Sequence, residues 1–249
     1  MLTFGSLFAG IGGIDLGFER CGMECRWQVE IDPYATKVLE KHWPGVNRWG
    51  DVKTFPPDDD EKWKVDVIAG GFPCQDLSHC GTGRGLNGER SGLFFEIIRV
   101  ARQLRPRAIV LENVPALLNN GMATVLRSLA EVGYNAEWHC VSARSVGANH
   151  KRERLFIIAT LANASSKRQQ RQGLHGERIH QAKNKDRKAS RIVSSCEGKK
   201  GNWDAEPELG RVAHGIPDRM DRLKCLGNAV VPQVAEVVAN RLFKIMEKQ

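Results

Sequence analysis

The sequence predicts an α/β fold organised around a largely parallel sheet. Short apolar runs of strand length alternate with amphipathic stretches through the first two-thirds of the chain. A glycine-rich turn, Phe8-Ala9-Gly10-Ile11-Gly12-Gly13, joins the first apolar run to the first amphipathic one. Other apolar runs lead straight into a reactive or charged residue. A strand covered on both faces reads as continuously apolar and a surface helix shows an apolar stripe, so this alternation is the pattern of strand–helix units.

Taken in order, strands are predicted at 2–8, 25–29, 65–69, 108–111, 137–141 and 155–160, and helices near 14–20, 34–42, 93–104 and 122–132. No internal repeat is present. Composition changes after Leu161: from 162 to 202 there is no Phe, Trp or Tyr, and the few apolar residues keep no period. That stretch cannot build a core unaided. A helical pattern returns at Pro232, where Val234, Val237, Val238, Leu242 and Ile245 form an apolar face and proline suits the first turn. The expected organisation is therefore a main domain over 1–161, a small basic region over 162–222, and a segment over 223–249 that returns to the main domain.

The 249 residues suffice for one large core and a minor lobe. Charge is unevenly placed. Between 162 and 202 stand eleven Lys or Arg against three acids, an excess equal to the whole net charge of +8. The rest of the chain balances. Attraction for a polyanion is concentrated in that stretch, although composition alone reads equally well as a solvated linker. No stretch approaches the ~20 continuous apolar residues of a membrane span. Met1-Leu2-Thr3-Phe4-Gly5 carries no basic leader, so a cytoplasmic location is expected. Seven cysteines, an odd number with no Cys-x-x-Cys pair, point to reduced thiols and no structural metal.

Four places carry candidate chemistry. The glycine turn at 8–13 lets the backbone approach a ligand closely, but the third glycine of a dinucleotide fingerprint would fall on Asp15, which argues against a nicotinamide site and leaves another adenosine ligand open. Glu30 ends the next strand at the distance from which an acid reaches ribose hydroxyls, and Asp51 is placed to accept from an adenine amino group. Taken alone, either acid is more often a cap or a surface group. Second, the run Val65–Ala69 delivers Cys74 into a loop through Gly70-Gly71-Phe72-Pro73. It reads as a nucleophile or as a buried small hydrophobe. Third, Ala108–Leu111 runs into Glu112. Fourth, Arg152 and Arg154 precede Leu155-Phe156-Ile157-Ile158; if the strand starts near Arg152, alternation sends both guanidinium groups to one face, suited to a carboxylate, a phosphate or a carbonyl.

In this order, Phe8-Ala9-Gly10-Ile11-Gly12-Gly13, Gly71-Phe72-Pro73-Cys74-Gln75, Glu112-Asn113-Val114, Arg152-x-Arg154 and Gly227-Asn228-Ala229-Val230 resemble the DNA cytosine-5 methyltransferases. The resemblance covers 4–160 and 223–242. It implies a Rossmann-like S-adenosylmethionine-dependent methyltransferase fold, with a small, irregular target-recognition lobe. It implies S-adenosyl-L-methionine as cofactor, with Phe8, Gly10, Gly12, Glu30, Ile31, Asp51 and Asn228 in contact with it. By the same resemblance Cys74 is the nucleophile, Glu112 the acid at cytosine N3, Arg154 its holder, and Arg152 the grip on the phosphate of a flipped nucleotide. His150 stands where the family usually carries glutamine.

The partner so implied is double-stranded DNA, bound by a monomer and not by a membrane protein; whether a cognate restriction endonuclease accompanies it stays open. Two other readings keep the fold: an RNA cytosine-5 methyltransferase, which shares the Pro-Cys-Gln arrangement, and a non-catalytic DNA-binding protein. An amino-methylating enzyme would need an Asp/Asn-Pro-Pro-aromatic loop where this chain has Phe72-Pro73-Cys74-Gln75.

Overall fold

The computed structural model describes residues 1–58, 61–73, 92–162 and 218–247. Within them one sheet is formed by β1 (Thr3–Leu7), β2 (Glu24–Val29), β3 (Asn47–Trp49), β4 (Val67–Gly71), β5 (Ala108–Asn113), β6 (Tyr134–Ser142) and β7 (Glu153–Leu161). Their order across the sheet is β3-β2-β1-β4-β5-β7-β6. The first five strands pair in parallel, whereas β7 lies antiparallel to both β5 and β6. Strand order reverses between β1 and β4, which opens a crevice at their carboxyl ends.

The helices are α1 (Gly13–Arg20), α2 (Pro33–His42), α3 (Leu93–Leu104), α4 (Met122–Glu131), α5 (Arg219–Asn228) and α6 (Pro232–Met246). Alternation along the strands divides the apolar side chains between two layers. On one face Leu7, Ile68, Ile109, Leu111 and Ile157 pack with Phe94 and Ile97 of α3 and Val125 and Leu129 of α4. On the other, Phe4, Val67, Val110 and Ile158 pack with Phe18 of α1 and Val234, Val238 and Leu242 of α6. Each fully buried Leu, Ile or Phe contributes roughly 1.5–3 kcal/mol of burial. The helix that starts at Pro232 lies in this second layer against α1 and β7, and Arg20 of α1 pairs with Glu236 of α6 at 3.0 Å.

Buried Asp15 ties α1 to the sheet by accepting from Ser6 Oγ, Gln28 Nε2 and Cys25 Sγ. Burial raises its pKa to about 6 against the hydrogen bonds from Gln28 and Ser6.

The elements depart from the sequence expectation in several places. The strand expected over 65–69 occupies Val67–Gly71, because Asp66 is engaged through its side chain with the backbone N–H and hydroxyl of Thr3. The runs expected over 137–141 and 155–160 extend to nine residues each, since they pair with one another along their whole length. Strand β3 was not expected: Asn47-Arg48-Trp49 has no apolar alternation and is held by its backbone pairing to β2. Helix α5 was not expected either; of its ten residues Cys225 alone is buried, so no apolar stripe announces it. Among the described residues no helix is long and apolar enough to cross a membrane.

Candidate active site

The predicted site residues that are described lie at the carboxyl edge of the parallel strands. After β1 the chain turns through Phe8, Gly10 and Gly12, with φ of +55°, +57° and +81°. Phe8 is the unusual member, because a side chain disfavours that region. Gly12 has no alternative: it caps α1 in the left-handed region, and a Cβ there would stand 2.4 Å from the Trp43 ring.

Glu30, at the end of β2, crosses to that turn. Its Oε2 accepts from Gly10 N at 2.7 Å and its Oε1 from Asp32 N at 2.8 Å. The carboxylate is therefore fixed by two backbone donors while each oxygen keeps capacity for a further hydroxyl. Beside it Ile31 is 71% exposed, an apolar side chain held on the surface. Glu30 N–H donates to Trp49 O, which brings the end of β3 alongside. Asp51, two residues on, caps a 3-10 turn by accepting from Lys53 N at 2.9 Å. A cleft of about 410 Å³, lined by Glu30, Ile31, Thr36, Lys37, Trp49 and Gly50 among others, opens next to this group. Of the expected cofactor residues it includes only Glu30 and Ile31, so it flanks the turn at 8–12 and does not coincide with it.

Strands β4 and β5 meet at the second half of the site. Glu112 is opposite Gly71 in the register and sits inside β5, not beyond its end. A Cβ at Gly71 would stand 2.8 Å from Glu112 Oε2, so only glycine leaves the carboxyl its place. Glu112 is 9% exposed, and burial raises its pKa to about 7, opposed by the charges of Arg154 and Arg152 and a hydrogen bond from Arg154. Arg154, near the start of β7, meets Glu112 Oε1 through Nε at 2.9 Å. The antiparallel insertion of β7 beside β5 is what makes that contact, since it returns the start of β7 to the end of β5.

Cys74 lies outside the described residues. The chain leading to it is held by Asn113, whose Nδ2 donates to Phe72 O at 3.3 Å and whose Oδ1 accepts from Val114 N. The sequence alone assigns Asn113 no task, although its place at the end of an apolar run, as a side chain able to donate and accept at once, is a signal for one.

Arg152 does not extend the strand alternation. It precedes β7 with φ of +23°, and its Nη2 donates to Gly227 O at 2.7 Å and to Ala229 O. Those carbonyls flank Asn228, the exposed last residue of α5. Helix α5 is joined to the Glu30 group through Lys224, which hydrogen-bonds Asp32 and holds that carboxyl below its ordinary pKa. The structure therefore brings Phe8, Gly10, Gly12, Glu30, Ile31 and Asp51 to one end of the edge, and Glu112, Arg154 and Arg152 to the other, with α5 joined to both. Among the described residues no group of three or more His, Cys, Asp or Glu is arranged to hold a metal ion.

Known proteins resemble this chain in sequence and in fold. The model of the family described as C-5 cytosine-specific DNA methylase matches residues 2–208. The chain is 40% identical over 164 residues to the Type II methyltransferase M2.BsuMI of Bacillus subtilis, an alignment that covers 63% of this chain and 41% of that protein. It is 34% identical over 166 residues to the Type II methyltransferase M.HhaI of Haemophilus parahaemolyticus, covering 63% and 48%. It thus spans less than half the length of these relatives. Among solved structures, a DNMT2 mutant of Spodoptera frugiperda is similar with a TM-score of 0.55 and 25% identity, covering 66% of this chain and 51% of the other. The Dnmt2 methyltransferase of S. pombe shares the fold at a TM-score of 0.55 and 22% identity, over 65% and 51%.

Proposed function

Because the chain belongs to the C-5 cytosine-specific DNA methylases, we propose that it methylates C5 of cytosine in double-stranded DNA, with S-adenosyl-L-methionine as donor and Cys74 as nucleophile. The observation that carries this reading is buried Glu112, whose pKa is raised to about 7 and whose Oε1 is held by Arg154 at 2.9 Å. A carboxyl group with that pKa is available as a hydrogen-bond donor near neutral pH.

The residues at the other end of the edge fit a nucleoside cofactor. Glu30 is a carboxylate fixed by two backbone N–H groups and still able to accept ribose hydroxyls. Ile31 is an exposed apolar neighbour for a base, and the turn at 8–12 offers backbone free of side chains at Gly10 and Gly12. Phe8, Asp51 and Asn228 complete the set we assign to it. When bound, the cofactor supplies an electrophilic methyl group to the crevice.

Cytosine C5 is too weak a nucleophile to accept that group unaided. The Cys74 thiolate adds to C6, the ring's electron density shifts toward C5, and Glu112 donates a hydrogen bond to N3 where charge develops. Arg154 holds Glu112 in place. After transfer the C5 proton leaves, the C6–sulfur bond breaks, and the aromatic ring and the thiolate are restored. C6 is hidden within a duplex stack, so the target nucleotide must be turned out of it.

The test is methyl incorporation into duplex DNA, mapped at base resolution, with transfer RNA as the competing substrate. Methylation at C5 in DNA is the expected result; incorporation into transfer RNA alone, or binding without incorporation, overturns the assignment. The Type II naming of the relatives supports a companion restriction endonuclease.

The basic stretch contributes phosphate contacts in this reading. Neutralising Lys183, Lys185, Arg187 and Lys188, which lie outside the described residues, is expected to weaken DNA binding. If all four meet phosphates, the slope of log K against log salt falls by about 3–4. An unchanged slope, measured by titration between low and moderate salt, reduces the stretch to a linker.

A further inference from the structure

Arg152 is committed to a task that its resemblance-based assignment, the grip on a nucleotide phosphate, does not explain. One guanidinium nitrogen, carrying two hydrogens, spans the carbonyls of Gly227 and Ala229 and so encloses Asn228 from both sides. The backbone at Arg152 takes a positive φ of +23°, costly for a residue with a side chain, which indicates a position set by its contacts and not by local preference.

The turn at 227–229 is tied at two places. Arg152 holds its carbonyls, and one turn of helix earlier Lys224 pairs with Asp32, whose own N–H donates to Glu30. Asn228 is exposed between these ties. Arg152 also lies two residues from Arg154, which holds Glu112, and it acts electrostatically on Glu112. One side chain thus joins the turn bearing Asn228 to the strand that holds the acid.

From this geometry we propose that Arg152 is a positioning residue for cofactor binding: it fixes the 227–229 turn so that Asn228 meets the cofactor. The proposal rests on the reading of Asn228 as a cofactor contact. A lysine in its place keeps the charge but loses the planar donor set, so the turn loosens without a change of sign in the local field.

The experiment uses the full chain and measures affinity for S-adenosyl-L-methionine by calorimetry, alongside affinity for a cytosine-containing duplex as a function of salt. The unchanged protein comes first; if it fails to bind the cofactor, the cofactor reading itself falls, and the positioning role with it. If it binds, Arg152→Gln is expected to raise the cofactor Kd about tenfold or more, the effect of losing hydrogen bonds from a charged donor. Arg152→Lys is expected to fall between. Combining Arg152→Gln with Asn228→Ala is expected to add less than about twofold to the effect of Asn228→Ala alone, because both changes remove the same contact. The salt dependence of DNA binding stays as it was.

A phosphate grip gives the opposite split: cofactor affinity is kept, DNA binding weakens, and the salt slope falls by about 0.9. That result, or additive losses in the double variant, overturns the proposal. If Arg152→Gln does not fold, Arg152→Lys with and without Asn228→Ala decides the same question.

Discussion

Cys74→Ala is expected to abolish methyl transfer, by on the order of 10⁴-fold or more, while duplex binding persists. Loss of the nucleophile removes the covalent route altogether and leaves only binding and electrostatic contributions. The most direct readout is a duplex carrying 5-fluorocytosine at the target position. Fluorine at C5 cannot leave as a proton does, so the C6–sulfur bond formed in the forward reaction is never broken and the protein stays attached through denaturation. Attachment is expected with Cys74 and absent in Cys74→Ala. Attachment that survives the substitution refutes the nucleophile, and the serine variant helps to separate loss of the sulfur from loss of side-chain volume.

Glu112→Gln is expected to lower kcat about 10²–10³-fold with little change in cofactor affinity, within the range attributed to a positioned proton donor. The pH profile tests the cause. In the folded chain the Glu112 pKa is about 7, above the carboxylate value of 4.5, because burial outweighs the pairing with Arg154. The protonated form is the donor, so kcat/KM is expected to fall as pH rises through about 7, and that descending limb should vanish in Glu112→Gln.

Stability carries the same sign. The fold binds this proton more tightly than the unfolded chain does, so the contribution is full below about pH 4.5 and is lost as pH rises through about 7. Across that window it amounts to roughly 3 kcal/mol. Urea midpoints for the parent and for Glu112→Gln at pH 5 and pH 8 should therefore diverge with pH. A descending limb that persists in the Gln variant assigns the titration to another group.

Much of this site can be read from the chain alone because its parts sit in short local patterns. A glycine turn after an apolar run, a Pro-Cys after Gly-Gly, a Glu closing an apolar run and an Arg-x-Arg before another are all contiguous segments. Each expresses a backbone or burial requirement that neighbouring residues satisfy. Strand β3 and helix α5 escape such reading because tertiary contacts, not periodicity, hold them: Asn47–Trp49 is paired to β2, and α5 is held by one buried cysteine, the Lys224–Asp32 pair and Arg152 at its last turn. The length of β6 and β7 escapes it too, since mutual antiparallel pairing extends both beyond their apolar centres.

What the sequence by itself determined is the α/β class, the order of its main strands and helices, and the identity of the candidate residues, because apolar spacing, glycine and proline act over a few neighbours. Only the tertiary structure decided that Arg154 faces Glu112, that Glu30 is fixed by Gly10 and Asp32, and that Arg152 encloses the turn of Asn228. It also set the proton affinity of Glu112. Most of those facts join residues tens of positions apart, and the proton affinity comes mainly from exclusion of water, which no short segment of chain can specify.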